Sequence, residues 1–316
     1  MSIRTVCCVG AGLIGAGWVA HFLRAGLAVR AYDTRPEAEG FLRRVLDEAW
    51  PTCEALGLAP GAARERVTFT TDLDEALTGA DFVQESAVEN ETLKIALLAD
   101  LDRRLDPGII IASSSSGFLA ESLRSRCERN GGRVLVGHPF NPPYLIPLVE
   151  VVGGKGADPA KVEEAMAFYR ATGSRPILLR GEALGYIANR IQTAVFKEIA
   201  WMLDQGVANV AEIDEALTHG PALRWAVGGL SRIYYLGASD DARYQPFLDW
   251  CFDSLSEGYC APDGFVPSAE LRAAYQQGVK EMIGGRLRAD LLRIRDRGVV
   301  RVRKAVAEAA AQDGEL

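Results

Sequence analysis

A glycine-rich turn near the N-terminus constrains the fold more than any other stretch of the chain. Residues 5–9 are apolar, as expected of a buried parallel strand, and the motif Gly10-Ala11-Gly12-Leu13-Ile14-Gly15 follows at once. A helical pattern comes next, and a second strand over residues 27–32 ends at Asp33. A G-x-G-x-x-G turn that joins a strand to a helix, with an acid after the next strand, is typical of a dinucleotide-binding unit.

The residues of this turn have separate predicted roles. Gly10 allows the tight turn, Gly12 lets the pyrophosphate approach the backbone, and Gly15 lets the helix pack on the strand. Leu13 and Ile14, at the start of the following helix, are expected to contact the cofactor as well, and the positive end of the helix dipole favours the pyrophosphate. The alternative is a glycine-rich turn without a ligand.

The acid after the second strand predicts which cofactor binds. Asp33 is expected to accept hydrogen bonds from the adenosine ribose and to repel a 2′-phosphate, which favours NAD over NADP. Arg35 lies beside it and could tolerate a phosphate there. The alternative interpretation makes Asp33 an ordinary turn residue.

A second informative stretch contains a histidine and a glutamate between two apolar runs. His138 follows residues 134–136, Glu150 lies within residues 148–152, and four prolines exclude a helix between them. A turn would return the second run past the first and bring Glu150 within reach of His138. A carboxylate that fixes the tautomer of an imidazole suits the imidazole to general base catalysis on an alcohol. The alternative is a structural ion pair.

The remaining pattern predicts two domains. Further strands are expected at 67–70, 81–85, 109–112 and 175–180, with helices at 41–56, 92–105 and 158–171. After Gly181 the apolar residues recur at helical spacing and no strand is expected. The predicted fold is therefore a doubly wound, mostly parallel α/β sheet of the Rossmann type over residues 1–181, followed by an all-α domain over 182–316.

Composition excludes several classes of protein. The 316 residues carry a net charge of -7 without a basic block, which argues against a nucleic-acid partner. No apolar run reaches the ~18–20 residues that a membrane span needs. The six cysteines are scattered and the three histidines lack metal-ligand spacing, so we expect free thiols, no metal and a cytoplasmic location.

Two further polar groups lie where a substrate could meet His138. The run 113–116 is four serines at the end of a predicted strand, and the carboxyl ends of strands form the ligand edge of an open α/β sheet. The alternative is that these serines cap the next helix. Asn189 stands near the start of an apolar helix, where a solvated surface side chain is the alternative interpretation.

With these residues placed, the chain resembles the L-3-hydroxyacyl-CoA dehydrogenase family over nearly its whole length. The H-x-F-N-P motif and the G-[FY]-x-x-N-R motif carry the resemblance, together with the fingerprint, residues 85–94 and the serine run. It implies that His138 is the base, that Glu150 orients it, and that Ser116 and Asn189 bind the reacting oxygen. It also implies cofactor contacts from Glu89, Lys94 and Ser114, and substrate contacts from Asn141, Arg224 and Trp225.

Within the family, the chain resembles the branch of the L-carnitine dehydrogenases and lambda-crystallin, an L-gulonate 3-dehydrogenase. It lacks the long helical insertion after the second strand that helps to hold CoA, and residues 84–86 and 223–226 match that branch. The resemblance implies an NAD-dependent dehydrogenase of a small 3-hydroxy acid and a homodimer. Alternatives are a 3-hydroxyacyl-CoA dehydrogenase, a ketoreductase of polyketide biosynthesis and a non-enzymatic, crystallin-like protein.

Overall fold

A single sheet organises the N-terminal part of the computed structural model, which describes residues 3–181, 183–237, 241–254 and 260–313. The strands are β1 (Thr5–Val9), β2 (Ala28–Tyr32), β3 (Val67–Thr70), β4 (Phe82–Glu85), β5 (Ile110–Ser113), β6 (Val134–Pro139), β7 (Leu148–Val152) and β8 (Arg175–Leu179). Their order in the sheet is β3-β2-β1-β4-β5-β6-β7-β8, and β1 to β6 are mutually parallel. Strand β7 pairs antiparallel with β6, and β8 runs parallel to β7.

Helices alternate with the strands of the sheet, and after β8 the described residues form helices without further strands. Contacts divide the chain into two compact units, Met1–Arg190 and Ile191–Leu316, and the described residues of the second unit contain no strand. The helices are α1 (Leu13–Arg24), α2 (Ala38–Leu56), α3 (Leu73–Leu77), α4 (Glu91–Arg104), α5 (Ala120–Leu123), α6 (Pro159–Ala171), α7 (Ala188–Asp204), α8 (Val210–His219), α9 (Pro221–Gly237), α10 (Asp241–Asp253), α11 (Ala269–Ile283) and α12 (Arg288–Asp313).

Both faces of the sheet are apolar, because side chains alternate along each strand. On one face, Cys7 and Val9 of β1 pack with Leu98 and Leu101 of α4 in a buried cluster. On the other face an aromatic layer joins Phe82 of β4 to Phe168 of α6, with ring centroids 4.3 Å apart. The predicted fold class, a Rossmann-type sheet followed by a helical domain, is confirmed. The predicted boundary after residue 181 and the roles of the two domains stay predictions.

A buried ion pair ties the edge of α4 to the start of β6. Arg133 and Asp102 are both fully buried, with Nη2 of the arginine 3.0 Å from Oδ1 of the carboxylate. The backbone N–H groups of Arg129 and Asn130 also donate to Asp102. This pair lies outside the ligand edge and serves the fold, since a buried charge without its partner is strongly destabilising.

Candidate active site

The glycine turn has the geometry that a dinucleotide requires. Gly10 lies at a φ of 96°, and a Cβ there would come within 2.6 Å of the carbonyl oxygen of Ser86. A Cβ on Gly15 would lie 1.8 Å from the carbonyl oxygen of Gly10, whereas a Cβ on Gly12 would meet no atom within 4 Å. The first and third glycines are therefore required by packing, and the second leaves open space beside the backbone.

The start of α1 also suits an anion. Its N-cap is Gly12, no side chain caps it, and no acidic residue lies in its first turn. The N-terminus of the helix dipole therefore has no acidic side chain of its own first turn competing for it. Leu13 is exposed and Ile14 half-buried beside this end. These residues fit NAD, with the pyrophosphate held at the end of α1.

Asp33 lies at the carboxyl end of β2 and is held by two neighbours. Its Oδ2 accepts from the backbone N–H of Ala11 at 3.0 Å. Arg35 reaches both carboxylate oxygens, with Nε 3.0 Å from Oδ1 and Nη2 3.3 Å from Oδ2. Burial alone would raise the pKa of Asp33, but the hydrogen bonds and charge of Arg35 and the N–H of Ala11 hold that pKa below its usual value. The carboxylate of Asp33 therefore stays ionised. The exposed Arg35 side chain donates to the same carboxylate oxygens that are predicted to accept hydrogen bonds from the ribose.

His138 and Glu150 face each other across the antiparallel pair of β6 and β7. They are register partners in the ladder, and Nδ1 of the histidine lies 2.8 Å from Oε2 of the glutamate. The second carboxylate oxygen, Oε1, accepts from the backbone N–H groups of Ile187 at 2.8 Å and Ala188 at 3.0 Å. Both oxygens are thereby fixed, and the residue after Ala188 is the predicted site residue Asn189.

Burial and hydrogen bonding act against each other on Glu150. The side chain is only 1% exposed, and burial alone would raise the pKa of Glu150. The hydrogen bond of His138 and the two backbone N–H groups offset this, so the pKa of Glu150 lies below its usual range. A carboxylate that stays ionised beside Nδ1 makes Nδ1 the protonated nitrogen of neutral His138. The other ring nitrogen, Nε2, is then the proton acceptor.

Tyr186 connects the parts of this site and was not predicted from the sequence. It is a buried non-glycine residue at a positive φ of 50°, a conformation that is uncommon for a large side chain. Its ring packs against His138 with centroids 5.3 Å apart, and its hydroxyl donates to the carbonyl oxygen of Phe118 at 2.8 Å. One side chain therefore links the histidine to the loop that carries Ser116.

The serine run is held by Glu89 and Lys94, two predicted cofactor residues. Oε1 of Glu89 accepts from the Ser115 hydroxyl at 2.7 Å and from the Ser116 backbone N–H at 2.9 Å. Lys94 is buried and lies 2.7 Å from Glu85 and 3.4 Å from Glu89. Burial alone would raise the pKa of Glu89, and the Ser115 hydroxyl and Lys94 hold that pKa below its usual value. In the structure these two residues shape the loop at the ligand edge.

Two family models match the chain. The NAD binding domain of 3-hydroxyacyl-CoA dehydrogenase matches residues 5–183, and the C-terminal domain of 3-hydroxyacyl-CoA dehydrogenase matches residues 185–268. The chain belongs to the 3-hydroxyacyl-CoA dehydrogenase family. It is therefore an NAD-dependent oxidoreductase that acts on CH–OH groups. The prediction that the cofactor is NAD is confirmed.

Individual members of this family and of its fold are similar over nearly the whole chain. The L-carnitine dehydrogenase of Streptomyces coelicolor is 45% identical over 312 residues, which cover 99% of this chain and 98% of that protein. The solved structure of 5-formyl-3-hydroxy-2-methylpyridine 4-carboxylic acid 5-dehydrogenase, an NAD+ dependent dismutase, has a TM-score of 0.83 at 26% identity and covers 97% of this chain and 99% of that one. The solved structure of (S)-3-hydroxybutyryl-CoA dehydrogenase from Ralstonia eutropha has a TM-score of 0.64 at 25% identity and covers 88% of this chain and 95% of that one.

The three predicted substrate residues of this family member lie on two separate segments. Asn141 is exposed in the loop between β6 and β7 and precedes Pro142 in a cis peptide bond. Arg224 and Trp225 lie on α9, between its start at Pro221 and a non-helical residue, Gly229. Arg224 is exposed, whereas the Nε1 of Trp225 is shielded from solvent and has no hydrogen-bond partner among the described residues.

Three further expectations concern the cysteines, a membrane span and a metal site. All six cysteines are free. Within the described ranges, no helix has the length and hydropathy that crossing a bilayer requires. No cluster of three or more His, Cys, Asp or Glu side chains suited to a metal ion occurs in the same part of the chain.

Proposed function

We propose that this family member is an NAD-dependent dehydrogenase of a small, free 3-hydroxy acid, with L-carnitine as the first substrate to test. The observation that carries the proposal is the His138–Glu150 pair, whose Nδ1 and Oε2 atoms lie 2.8 Å apart at the ligand edge. NAD, when bound, accepts the hydride from the carbon that bears the hydroxyl.

His138 is the general base in this proposal. Glu150 holds the proton on Nδ1, so Nε2 takes the hydroxyl proton of the substrate as the alcohol is oxidised. The ring then carries a positive charge, which the ionised Glu150 stabilises at short range. In the reducing direction the same nitrogen returns the proton to the oxygen.

Ser116 and Asn189 complete the proposed site as hydrogen-bond donors to the reacting oxygen. Both side chains are half-buried, and both follow backbone that the site itself fixes. The backbone N–H of Ser116 donates to Glu89, and the residue before Asn189 donates to Glu150. Donors held in this way can stabilise negative charge that develops on the oxygen without reorganising.

Three observations favour a free acid over a CoA thioester. The Streptomyces coelicolor relative is named for L-carnitine, which is a 3-hydroxy acid with a quaternary ammonium group. A free acid also needs a cation for its carboxylate, and Arg224 is an exposed guanidinium without an ion pair among the described residues. Trp225 beside it holds a shielded N–H that a ligand oxygen would satisfy.

A substrate panel tests the proposal directly. L-carnitine, L-gulonate, 3-hydroxybutyrate and 3-hydroxybutyryl-CoA are each supplied with NAD, and reduced cofactor is followed by absorbance. We expect turnover of at least one free acid at a kcat/KM well above that of the thioester, and loss of this turnover in His138→Gln. A preference for 3-hydroxybutyryl-CoA would overturn the free-acid assignment, and no turnover of any of the four would overturn the proposed substrate class.

We also propose that the protein is a homodimer that associates through its helical unit. Large apolar side chains are exposed at 223 and 227 before the non-helical Gly229 of α9, and at 230 and 234 after it. Exposed apolar side chains that lie close together in the sequence are typical of an interface, and a second copy of the same chain is the simplest partner.

A further inference from the structure

The hydroxyl of Ser114, which the sequence predicted to bind the cofactor, already has three partners inside the protein. Nε1 of Trp18 lies 3.0 Å from it, Nε2 of Gln84 lies 2.9 Å from it, and the hydroxyl of Ser86 lies 2.8 Å from it. A serine hydroxyl has one proton and two acceptor lone pairs, so three partners use its full capacity. Which partner receives the single proton decides what the other groups can do.

The orientation of the Gln84 amide is fixed by its surroundings. Its Nε2 also lies 3.2 Å from the carbonyl oxygen of Gly137, and its Oε1 accepts from the Tyr169 hydroxyl at 2.7 Å. A backbone carbonyl oxygen can only accept, so the NH2 end of the amide must face Gly137. The two protons of Nε2 therefore go to Gly137 and to Ser114.

This fixes the direction of every proton in the cluster. The indole of Trp18 can only donate, and Gln84 donates as well, so both lone pairs of the Ser114 hydroxyl are filled. Ser114 must then give its own proton to Ser86. The hydroxyl of Ser86 accepts that proton and keeps its own, for which the described residues provide no acceptor.

Ser86 lies beside the glycine turn. It follows β4, its backbone N–H donates to the carbonyl oxygen of Val9 at 2.7 Å, and its side chain is half-buried. A Cβ added to Gly15 would lie 3.5 Å from the Cβ of Ser86. Asp33 follows β2 on one side of β1, and Ser86 follows β4 on the other side. In such sheets the adenosine lies on the side of the acid, so Ser86 flanks the opposite half of the dinucleotide.

We infer that Ser86 donates its hydroxyl proton to an acceptor oxygen in the nicotinamide half of the bound cofactor. Ser114 is then a positioning residue, because it holds the Ser86 oxygen from behind and directs the Ser86 proton outward. The hydrogen-bonded chain Tyr169–Gln84–Ser114, in which the tyrosine and the glutamine are buried, keeps the direction of that proton constant. The inference concerns the cofactor alone and does not depend on which hydroxy acid is oxidised.

The test compares two ligands on the same variants by fluorescence and calorimetric titration. ADP contains the adenosine and pyrophosphate but no nicotinamide, so it reports the half of the site that Ser86 does not touch. In Ser86→Ala we expect the Kd of NADH to rise about three- to tenfold, the range of one neutral hydrogen bond. The Kd of ADP should stay unchanged, which also shows that the fold is intact.

Two further variants sharpen the result. Ser86→Cys keeps a group of similar size with a weaker donor, so its Kd for NADH should fall between those of the wild type and Ser86→Ala. Ser125→Ala removes an exposed serine elsewhere and should bind both ligands as the wild type does. An unchanged Kd for NADH in Ser86→Ala would overturn the inference, and so would an equal loss of affinity for NADH and ADP.

Discussion

Replacing Glu150 by glutamine removes one charge from the proposed active site and preserves the shape of the side chain. The consequence follows from the two backbone N–H groups of Ile187 and Ala188, which donate to Oε1 of the wild-type carboxylate. In Glu150→Gln only the amide oxygen can accept from them, so the amide NH2 must turn toward His138. There it donates to Nδ1, a nitrogen that carries the proton in the wild-type protein.

The substitution therefore changes the tautomer of His138 as well as the charge beside it. A neutral imidazole that accepts at Nδ1 carries its proton on Nε2, so Nε2 can no longer take a proton from an alcohol. Loss of a general base costs roughly 10²–10⁴-fold in rate, and a wrong tautomer in a comparable catalytic pair costs about 10⁴-fold. We expect kcat of Glu150→Gln to fall by about 10³–10⁴-fold, with the KM of the acid and the Kd of NADH little changed.

The assay is steady-state production of NADH from L-carnitine, or from whichever 3-hydroxy acid in the panel is the best substrate. His138→Gln and the double variant complete the set. Because the two residues act as one unit, the double variant should be no slower than His138→Gln alone. Glu150→Gln with a kcat within tenfold of the wild type, or a double variant whose losses simply add, would refute the reasoning.

The pKa of Glu150 provides an independent measurement on the same variant. Its folded-state pKa lies below its ordinary value, so the ionised group contributes stability that is present above about pH 4.3 and is lost as the pH falls through the folded pKa. The difference in unfolding free energy between the wild type and Glu150→Gln should therefore be largest near neutral pH and should shrink in acid. A difference that grows in acid would contradict this sign.

Four further outcomes are expected. Asp33→Ala should weaken NADH binding about tenfold or more and reduce the preference for NADH over NADPH, measured by fluorescence titration of both cofactors. Tighter binding of NADPH than of NADH by the wild type would contradict the role proposed for Asp33. Arg133→Met leaves Asp102 buried without its partner and should cost about 3–5 kcal/mol in urea unfolding; an unchanged midpoint would be the contrary result. Arg224→Met should raise the KM of a free acid ~10–100-fold at constant Tm, whereas Arg301→Met, an exposed arginine of α12, should not; a fall in Tm with unchanged KM would make Arg224 structural. Light scattering at micromolar concentration should give the mass of a dimer, and a monomer would refute the proposed assembly.

The parts of the fold that depend on local sequence were predictable. A few consecutive residues are enough to recognise the glycine turn, Asp33 and the apolar strands. Strands β3 and β7 were predicted at their observed bounds. The prolines between His138 and Glu150 excluded a helix, and the returning strand brought the pair together as expected. Strand β6 extends to Pro139 because it pairs with β7, a partner that no local window contains.

The polar partners inside the site were not predictable in the same way. Gln84 and Tyr169 are separated by 85 residues, and neither residue type has a period or spacing that would reveal the hydrogen bond between them. Tyr186 was visible only as part of a motif, and its contact with His138 depends on a positive φ that the preceding glycine does not by itself predict. Lys94 could be recognised, but its burial between two carboxylates depends on the packing of α4 against β4.

The pairing of β6 with β7, and not the number of residues between them, places His138 opposite Glu150. Its register joins Val136 to Val152, Gly137 to Val151 and His138 to Glu150, so the separation of 12 residues between the histidine and the glutamate reflects the length of the connecting loop. An insertion within residues 140–147 would lengthen that separation and leave the two side chains opposite each other. A shift of the ladder by one residue would instead turn Glu150 to the far face of the sheet. Distant proteins that carry the same histidine–glutamate pair are therefore recognised by the register of two strands, and a search that requires a fixed spacing would miss them.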